Sequence, residues 1–288
     1  MDKKSFDTLS IYITHNCGLS CHLCASYNNY AVKGHYDFDN AKLRLEKWGE
    51  VLNIRQITII GGEPFLHPDV DRWVRGIVQA FKYCDDIRVF TGLTGQKLLK
   101  YKNIIRGWFE LGVVTQISVH DKNAWQEAIE TAEQIFEELP FKKEHGVDHC
   151  SFDLNKVEFF YKDRLVFNVY EQWDFFPHSQ KEIIDGKIYM HENDPEIAHS
   201  KCHCNSPYIV DGYLYKCVLT GVAKMLVEQL PLGDREMSLL SQVTYIDPLL
   251  DQDFDISSAI PQCTLCSVQT DKLIPIYPIS TKKPKLIK

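Results

Sequence analysis

No apolar run in this 288-residue chain approaches the roughly 20 residues needed to cross a bilayer, and Met1–Asp7 leads into no apolar stretch of the kind that directs export. These absences lead us to expect a cytoplasmic protein with no membrane partner. An excess of positive charge is missing too. Lys and Arg number 32 against 39 Asp and Glu, a net charge of −7, which argues against a chain built to neutralise nucleic-acid phosphate. Lys282, Lys283, Lys285 and Lys288 read as a solvated end. Internal repeats, low-complexity tracts and long linkers are also lacking. With 44% apolar residues, the chain should bury the core of one barrel-sized domain plus a small appendage.

Cysteine, by contrast, is plentiful. Ten would suit a short secreted disulfide scaffold, but here eight lie in tight clusters and no export signal accompanies them, so metal ligation is the better account. The first cluster is Cys17-Gly18-Leu19-Ser20-Cys21-His22-Leu23-Cys24, a CxxxCxxC run just after an expected strand, Thr8 to Thr14. Three thiolates in one loop hold three corners of an iron-sulfur cubane and leave the fourth iron open to a ligand. The competing reading is zinc, which prefers closed four-ligand sites built from CxxC pairs.

Downstream, the pattern alternates. Asp39 is the expected cap of a helix with Ala41, Leu45, Trp48 and Leu52 on one face; Ile57–Ile60 reads as a buried strand running into Gly61-Gly62-Glu63-Pro64. A helix opened by His67-Pro68-Asp69 follows, then a strand over Ile87–Phe90 ending at Thr91-Gly92. A helix over Lys97–Leu111 closed by Gly112, a strand over Val113–His120 and a helix from Asn123 stopped by Pro140 complete the regular part. Such alternation predicts parallel strands with right-handed crossovers, and ligands at their carboxyl ends. Beyond Phe141, Val157–Tyr161 and Leu165–Tyr170 read either as a hairpin or as the last barrel strands. The aromatics Phe159, Phe160, Tyr170, Trp173, Phe175 and Phe176 read as core or domain interface.

A second cysteine group contains Cys202, Cys204, Cys217, Cys263 and Cys266. Between its members, Tyr208–Tyr215 reads as a β-hairpin turning at Asp211-Gly212, a pair favoured in type I′ turns, which brings Cys202 or Cys204 beside Cys217. Four thiolates make a closed cluster site; a zinc ribbon is the alternative. Cys84 reads as packing, while Cys150 is a candidate hydrogen-atom donor.

The CxxxCxxC loop after a first strand, followed one βα unit later by GGEP, resembles the radical S-adenosylmethionine (radical SAM, AdoMet) enzymes. The resemblance implies an α/β fold, a partial (β/α)6 TIM-like barrel over residues 6–173. The second cysteine group resembles a Twitch/SPASM-like auxiliary-cluster domain, implying a small C-terminal β-hairpin-plus-helix unit over 194–268 before a tail, 269–288. It further implies a 4Fe-4S cluster on Cys17, Cys21 and Cys24 that cleaves AdoMet to a 5′-deoxyadenosyl radical. Gly61, Gly62, Glu63 and Pro64 would grip the methionine end, the glycines letting the backbone pass close to the ligand. Thr91, Ser118 and His120 would contact AdoMet at the strand ends, with Leu23, where the family usually has an aromatic, beside the adenine. A second, auxiliary 4Fe-4S cluster would sit on Cys202, Cys217, Cys263 and Cys266, with Cys204 as the alternative to Cys202.

The expected partners are AdoMet, a small-molecule or peptide substrate and a flavodoxin- or ferredoxin-type electron donor. The spacing resembles that of the aminoglycoside-pathway alcohol dehydrogenase of the class, so two-electron oxidation is the first expectation. Modification or epimerisation of a ribosomally made peptide is the second, and a non-catalytic iron-sulfur or zinc module the third. Glu158, Glu171, Asp174 and His178 are the acid/base candidates.

Overall fold

A computed structural model describes residues 3–148, 154–172, 174–175, 181–202, 206–251, 253–269 and 274–275. Strand β1 (Lys4–Tyr12) lies parallel to β2 (Leu52–Ile60), with α1 (Phe38–Val51) between them. Asp37, not Asp39, caps α1: its carboxylate accepts from the Asp39 amide at 2.9 Å. Starting the helix at Phe38 buries that ring against Trp73, 5.3 Å away between centroids, in α2 (Val70–Ala80). Then come β3 (Asp86–Thr91), α3 (Gly95–Leu99), α4 (Lys102–Leu111), β4 (Val113–Val119) and α5 (Trp125–Phe136). The single helix expected over Lys97–Leu111 is therefore two, separated where the Tyr101 ring turns onto Phe65.

Strands β5 (Phe141–Asp148), β6 (Leu154–Tyr161) and β7 (Arg164–Glu171) form one edge of the sheet, followed by β8 (Asp174–Phe175). β6 runs antiparallel to both neighbours, and β7 pairs parallel with β4. Val157–Tyr170 is thus a hairpin whose second strand also joins the parallel series as its last member. Lys162 and Asp163 both take positive φ, 51° and 59°, in a two-residue turn that leaves no length for a crossover helix. β1–β4 and β7 run parallel as the (β/α)6 expectation requires, but β7 is reached through an antiparallel hairpin rather than a crossover helix.

In the C-terminal part β9 (Glu182–Ile184) and β10 (Lys187–Tyr189) pair as a separate antiparallel sheet, and after α6 (Pro195–Ser200) the strands β11 (Tyr208–Val210) and β12 (Tyr213–Tyr215) form the other edge of the main sheet. The expected hairpin is β11–β12, with Asp211 and Gly212 at φ 52° and 83° as a type I′ turn requires. β11 then pairs parallel with β1, so the nine-stranded sheet runs β12-β11-β1-β2-β3-β4-β7-β6-β5. Helices α7 (Val218–Gly221), α8 (Ala223–Gln229) and α9 (Asp234–Ser241), with β13 (Ile274–Pro275) against β8, complete the mixed α/β architecture. Among the described residues, no helix is long and apolar enough to cross a membrane.

Alternation divides the sheet's residues between two faces. Leu9, Ile11, Ile57, Ile59, Val89, Ile117, Phe159 and Phe167 pack with Trp48, Trp73, Trp108 and Phe136 of the helices into the main core. Each large side chain so buried contributes about 1.5–3 kcal/mol. A second core joins Tyr12, Tyr27 and Tyr30 to Val210, Leu226 and Leu265, which seats the C-terminal helices against the loop that follows β1. Of the aromatics expected in core or interface, Phe159 is fully buried. Trp173 and Phe176 lie outside the described residues.

Candidate active site

The cysteine loop leaves the carboxyl end of β1, and its backbone turns tightly: the Cys24 amide donates to the Cys21 carbonyl, and the Tyr27 amide to the Cys24 carbonyl. Cys17, Cys21 and Cys24 are partly exposed and form no disulfide. The Leu19 amide donates to Cys17 Sγ at 3.4 Å. Behind the loop, the buried Asn28 amide donates to Tyr12 Oη at 2.9 Å and to the His15 carbonyl at 2.7 Å, while His15 Nδ1 and Tyr12 Oη lie 3.0 Å apart. Burial brings His15 down to about 4, so its imidazole is neutral near pH 7.

The Gly61-Gly62-Glu63-Pro64 turn is fastened to this loop. The Gly62 amide donates to the Thr14 carbonyl and the Glu63 amide to the Asn16 carbonyl, each at 2.7 Å. A Cβ on Gly61 would lie 2.6 Å from the Thr14 carbonyl oxygen, and one on Gly62 2.4 Å from that of Asn16. The close approach expected of these glycines is thus made to the chain itself.

Glu63 is 3% exposed and has three donors: Thr91 Oγ1 and the Phe65 amide reach Oε1, and the Gly92 amide reaches Oε2. Burial nevertheless pushes its carboxyl up to about 7. A desolvated carboxylate with donors but no cation is suited to receive an ammonium group. Thr91 spends its hydroxyl on Glu63 and accepts from the Leu93 amide, so it acts through Glu63. Pro64 and Leu23 are buried at the turn and in the cysteine loop, and Ser118 Oγ at the end of β4 is buried without a partner. His120 Nδ1 lies 3.2 Å from the Gln172 carbonyl.

Lys181 carries no local signal in the sequence. Its ammonium donates to the Cys24 carbonyl at 3.0 Å and stands 3.7 Å over the Tyr27 ring. Burial lowers it to about 8.

Cys202 follows α6, Cys217 precedes α7, and Cys263 and Cys266 lie in and just after the short turn Pro261–Leu265. All four line a cavity of about 750 Å³ that also reaches Ala25 and Tyr27 of the first loop. Burial pushes the Cys217, Cys263 and Cys266 thiols up, and neighbouring cysteines of the same group push each of them further. Four cysteines lining one cavity supply the number of thiolates that a closed cluster site requires. Cys204 and Cys150 lie outside the described residues, as does His178. Cys84 is a packing residue near the start of β3, its Sγ 3.6 Å from the Asp86 carbonyl.

Among the described residues, no three His, Cys, Asp or Glu side chains converge closely enough to hold a single metal ion. A cubane makes a different demand, since each thiolate binds its own iron.

No family model matches the chain, and no curated protein matches it. Among solved structures, BtrN in complex with AdoMet and 2-DOIA overlaps 94% of this chain and 98% of its own, at 15% identity and TM-score 0.45. Streptococcus suis SuiB bound to S-adenosylmethionine overlaps 85% of this chain and 67% of its own, at 16% identity and TM-score 0.34. SuiB bound to the precursor peptide SuiA overlaps 46% and 37%, at 16% identity and TM-score 0.26. The chain's own residues, not these overlaps, carry the functional reading.

Proposed function

We propose that this protein is a radical SAM enzyme that oxidises a small molecule by two electrons. The supporting observation is the junction of two motifs: hydrogen bonds from Gly62 and Glu63 to Thr14 and Asn16 lock the GGEP turn onto the lead-in to Cys17, Cys21 and Cys24. When bound, a 4Fe-4S cluster on these three cysteines supplies the electron that cleaves AdoMet to methionine and a 5′-deoxyadenosyl radical, which takes a hydrogen atom from the substrate.

Everything else is the work of the chain. Glu63 holds the cofactor's ammonium and is itself oriented by Thr91, Gly92 and Phe65. The unpartnered Ser118 hydroxyl is available to AdoMet at the end of β4. Asn28, Tyr12 and His15 brace the loop from behind. Cys202, Cys217, Cys263 and Cys266 would hold a second 4Fe-4S group, which with four protein ligands would supply an electron acceptor rather than a substrate site. A base removes the proton. Of the candidates for it, Glu158 shares a sheet face with Asn168, its partner in register, and pairs with Lys156 at 3.0 Å, while Glu171 accepts from the Asn155 amide at 3.1 Å.

Anaerobic reconstitution followed by reduction tests the proposal. Formation of 5′-deoxyadenosine from AdoMet is expected, and loss of that product in Cys21→Ala. A wild-type protein that binds iron yet never cleaves AdoMet would defeat it.

A further inference from the structure

The face of the sheet turned away from the main helical core changes character across β4, β7 and β6. Gln116 pairs in register with Asn168, and Asn168 with Glu158; one layer nearer the carboxyl ends of β4 and β7, Ser118 pairs with Tyr170 and Tyr170 with Lys156. Cross-strand partners share a face, so six hydrogen-bonding side chains form one patch on three adjacent strands. The opposite face of the same strands carries Ile117, Phe167, Val169 and Phe159, packed on α5.

Two of the polar groups are engaged with each other: the Asn168 amide donates to Gln116 Oε1 at 3.3 Å. Asn168 Oδ1 is left buried with no partner, on a residue only 2% exposed. Lys156 Nζ and Glu158 Oε1 lie 3.0 Å apart at the far side of the patch. Its near side meets the Glu63 site, because the Thr91–Ile117 pairing brings Gly92, a donor to Glu63, beside Ser118.

The geometry points to this patch as the substrate subsite, and to a compact polyol, sugar-sized and bearing hydroxyl or amino groups, as what it takes. This rests on the proposed function above. An unpaired buried acceptor demands a donor from the ligand, which a hydroxyl or amine supplies and an apolar group does not. Amide, phenol, carboxylate and ammonium groups packed into two layers match closely spaced substituents on a small ring. A peptide would spread its amides over a longer track.

The test uses full-length protein, reconstituted anaerobically and saturated with AdoMet, titrated calorimetrically with glucosamine, myo-inositol and penta-alanine. At least one of the two polyols is expected to bind and to accelerate 5′-deoxyadenosine formation, and penta-alanine to do neither. Asn168→Leu and Lys156→Met should each weaken that polyol about tenfold, the value of one hydrogen bond, with AdoMet affinity unchanged. Lys156 is partly exposed, so its variant reports even where Asn168→Leu fails to fold. Absence of polyol binding in a protein that binds and cleaves AdoMet overturns the subsite, as does binding of penta-alanine instead or unchanged polyol affinity in both variants. Failure of AdoMet cleavage defeats the proposed function alone, since polyol affinity and its loss in the variants are read directly.

Discussion

Thr91 Oγ1 donates to Glu63 Oε1 at 2.8 Å, joining the end of β3 to the turn that ends β2. Together with the Gly92 and Phe65 amides it pulls the Glu63 carboxyl down, but burial outweighs all three and leaves it at about 7 against an ordinary 4.5. That difference corresponds to roughly 3 kcal/mol of unfavourable ionisation when no cation is bound. The raised value means that the folded protein takes up a proton which the unfolded chain has already lost. Stability of the AdoMet-free protein should therefore fall as pH rises from about 4.5 to about 7, and Glu63→Gln should remove that part of the slope. Denaturant unfolding of both proteins across the window measures it; parallel slopes would refute the assignment.

AdoMet affinity should move the other way. An ammonium needs the ionised carboxylate, so binding should strengthen as pH rises towards about 7 and then level off at Glu63. Glu63→Gln should weaken binding by about ten- to a hundredfold near neutral pH, the cost of a charge-assisted hydrogen bond, and flatten the profile. Thr91→Val should shift the midpoint upward, because it removes a donor to the charged form, while Thr91→Ser restores it. Calorimetric titrations over pH distinguish this positioning role from a structural one.

Gly62→Ala should disable the first cysteine group selectively. Its Cβ would fall 2.4 Å from the Asn16 carbonyl oxygen, a backbone atom that moves only with the cysteine loop. We expect reconstituted wild type to hold about eight irons and Gly62→Ala about four, retained on the C-terminal cysteines. Cys17, Cys21 and Cys24 changed together to Ala should give the same count. Iron and sulfide analysis decides both, and a triple variant still carrying two clusters would remove these cysteines from the ligand set.

What the sequence made legible was local. Cys17–Cys24, Gly61–Pro64 and Asp211-Gly212 announce themselves because spacing or turn chemistry confines them to a few residues. The choice of Asp37 over Asp39 as a cap depended instead on where Phe38 packs, and the Lys162–Asp163 hairpin turned on positive φ at residues other than glycine. Long-range relationships had no local signal at all. Lys181 reaches the Cys24 carbonyl, and β11 reaches β1, across most of the chain. Asn168 reads as an ordinary polar strand residue until its register with Gln116 and Glu158 is known.

The second cysteine group should separate radical formation from oxidation. Cys263 and Cys266 line the cavity shared with Cys202 and Cys217, to whose lining Glu63 and its donors Thr91, Gly92 and Phe65 do not belong. Changing both to Ala should leave AdoMet binding and 5′-deoxyadenosine formation intact while abolishing oxidised product, since the second electron then has no acceptor. Burial raises these two thiols and keeps them neutral, so Ala in their place removes no charge from the fold, and the variant should keep its first cluster in place. Iron content near four, unchanged AdoMet affinity and loss of product together are the expected result. Deuterium at the abstracted carbon should appear in 5′-deoxyadenosine, with one AdoMet consumed for each product. Product formed undiminished by the double variant would leave the second group a structural role only, and return of deuterium to the product would make the reaction an isomerisation.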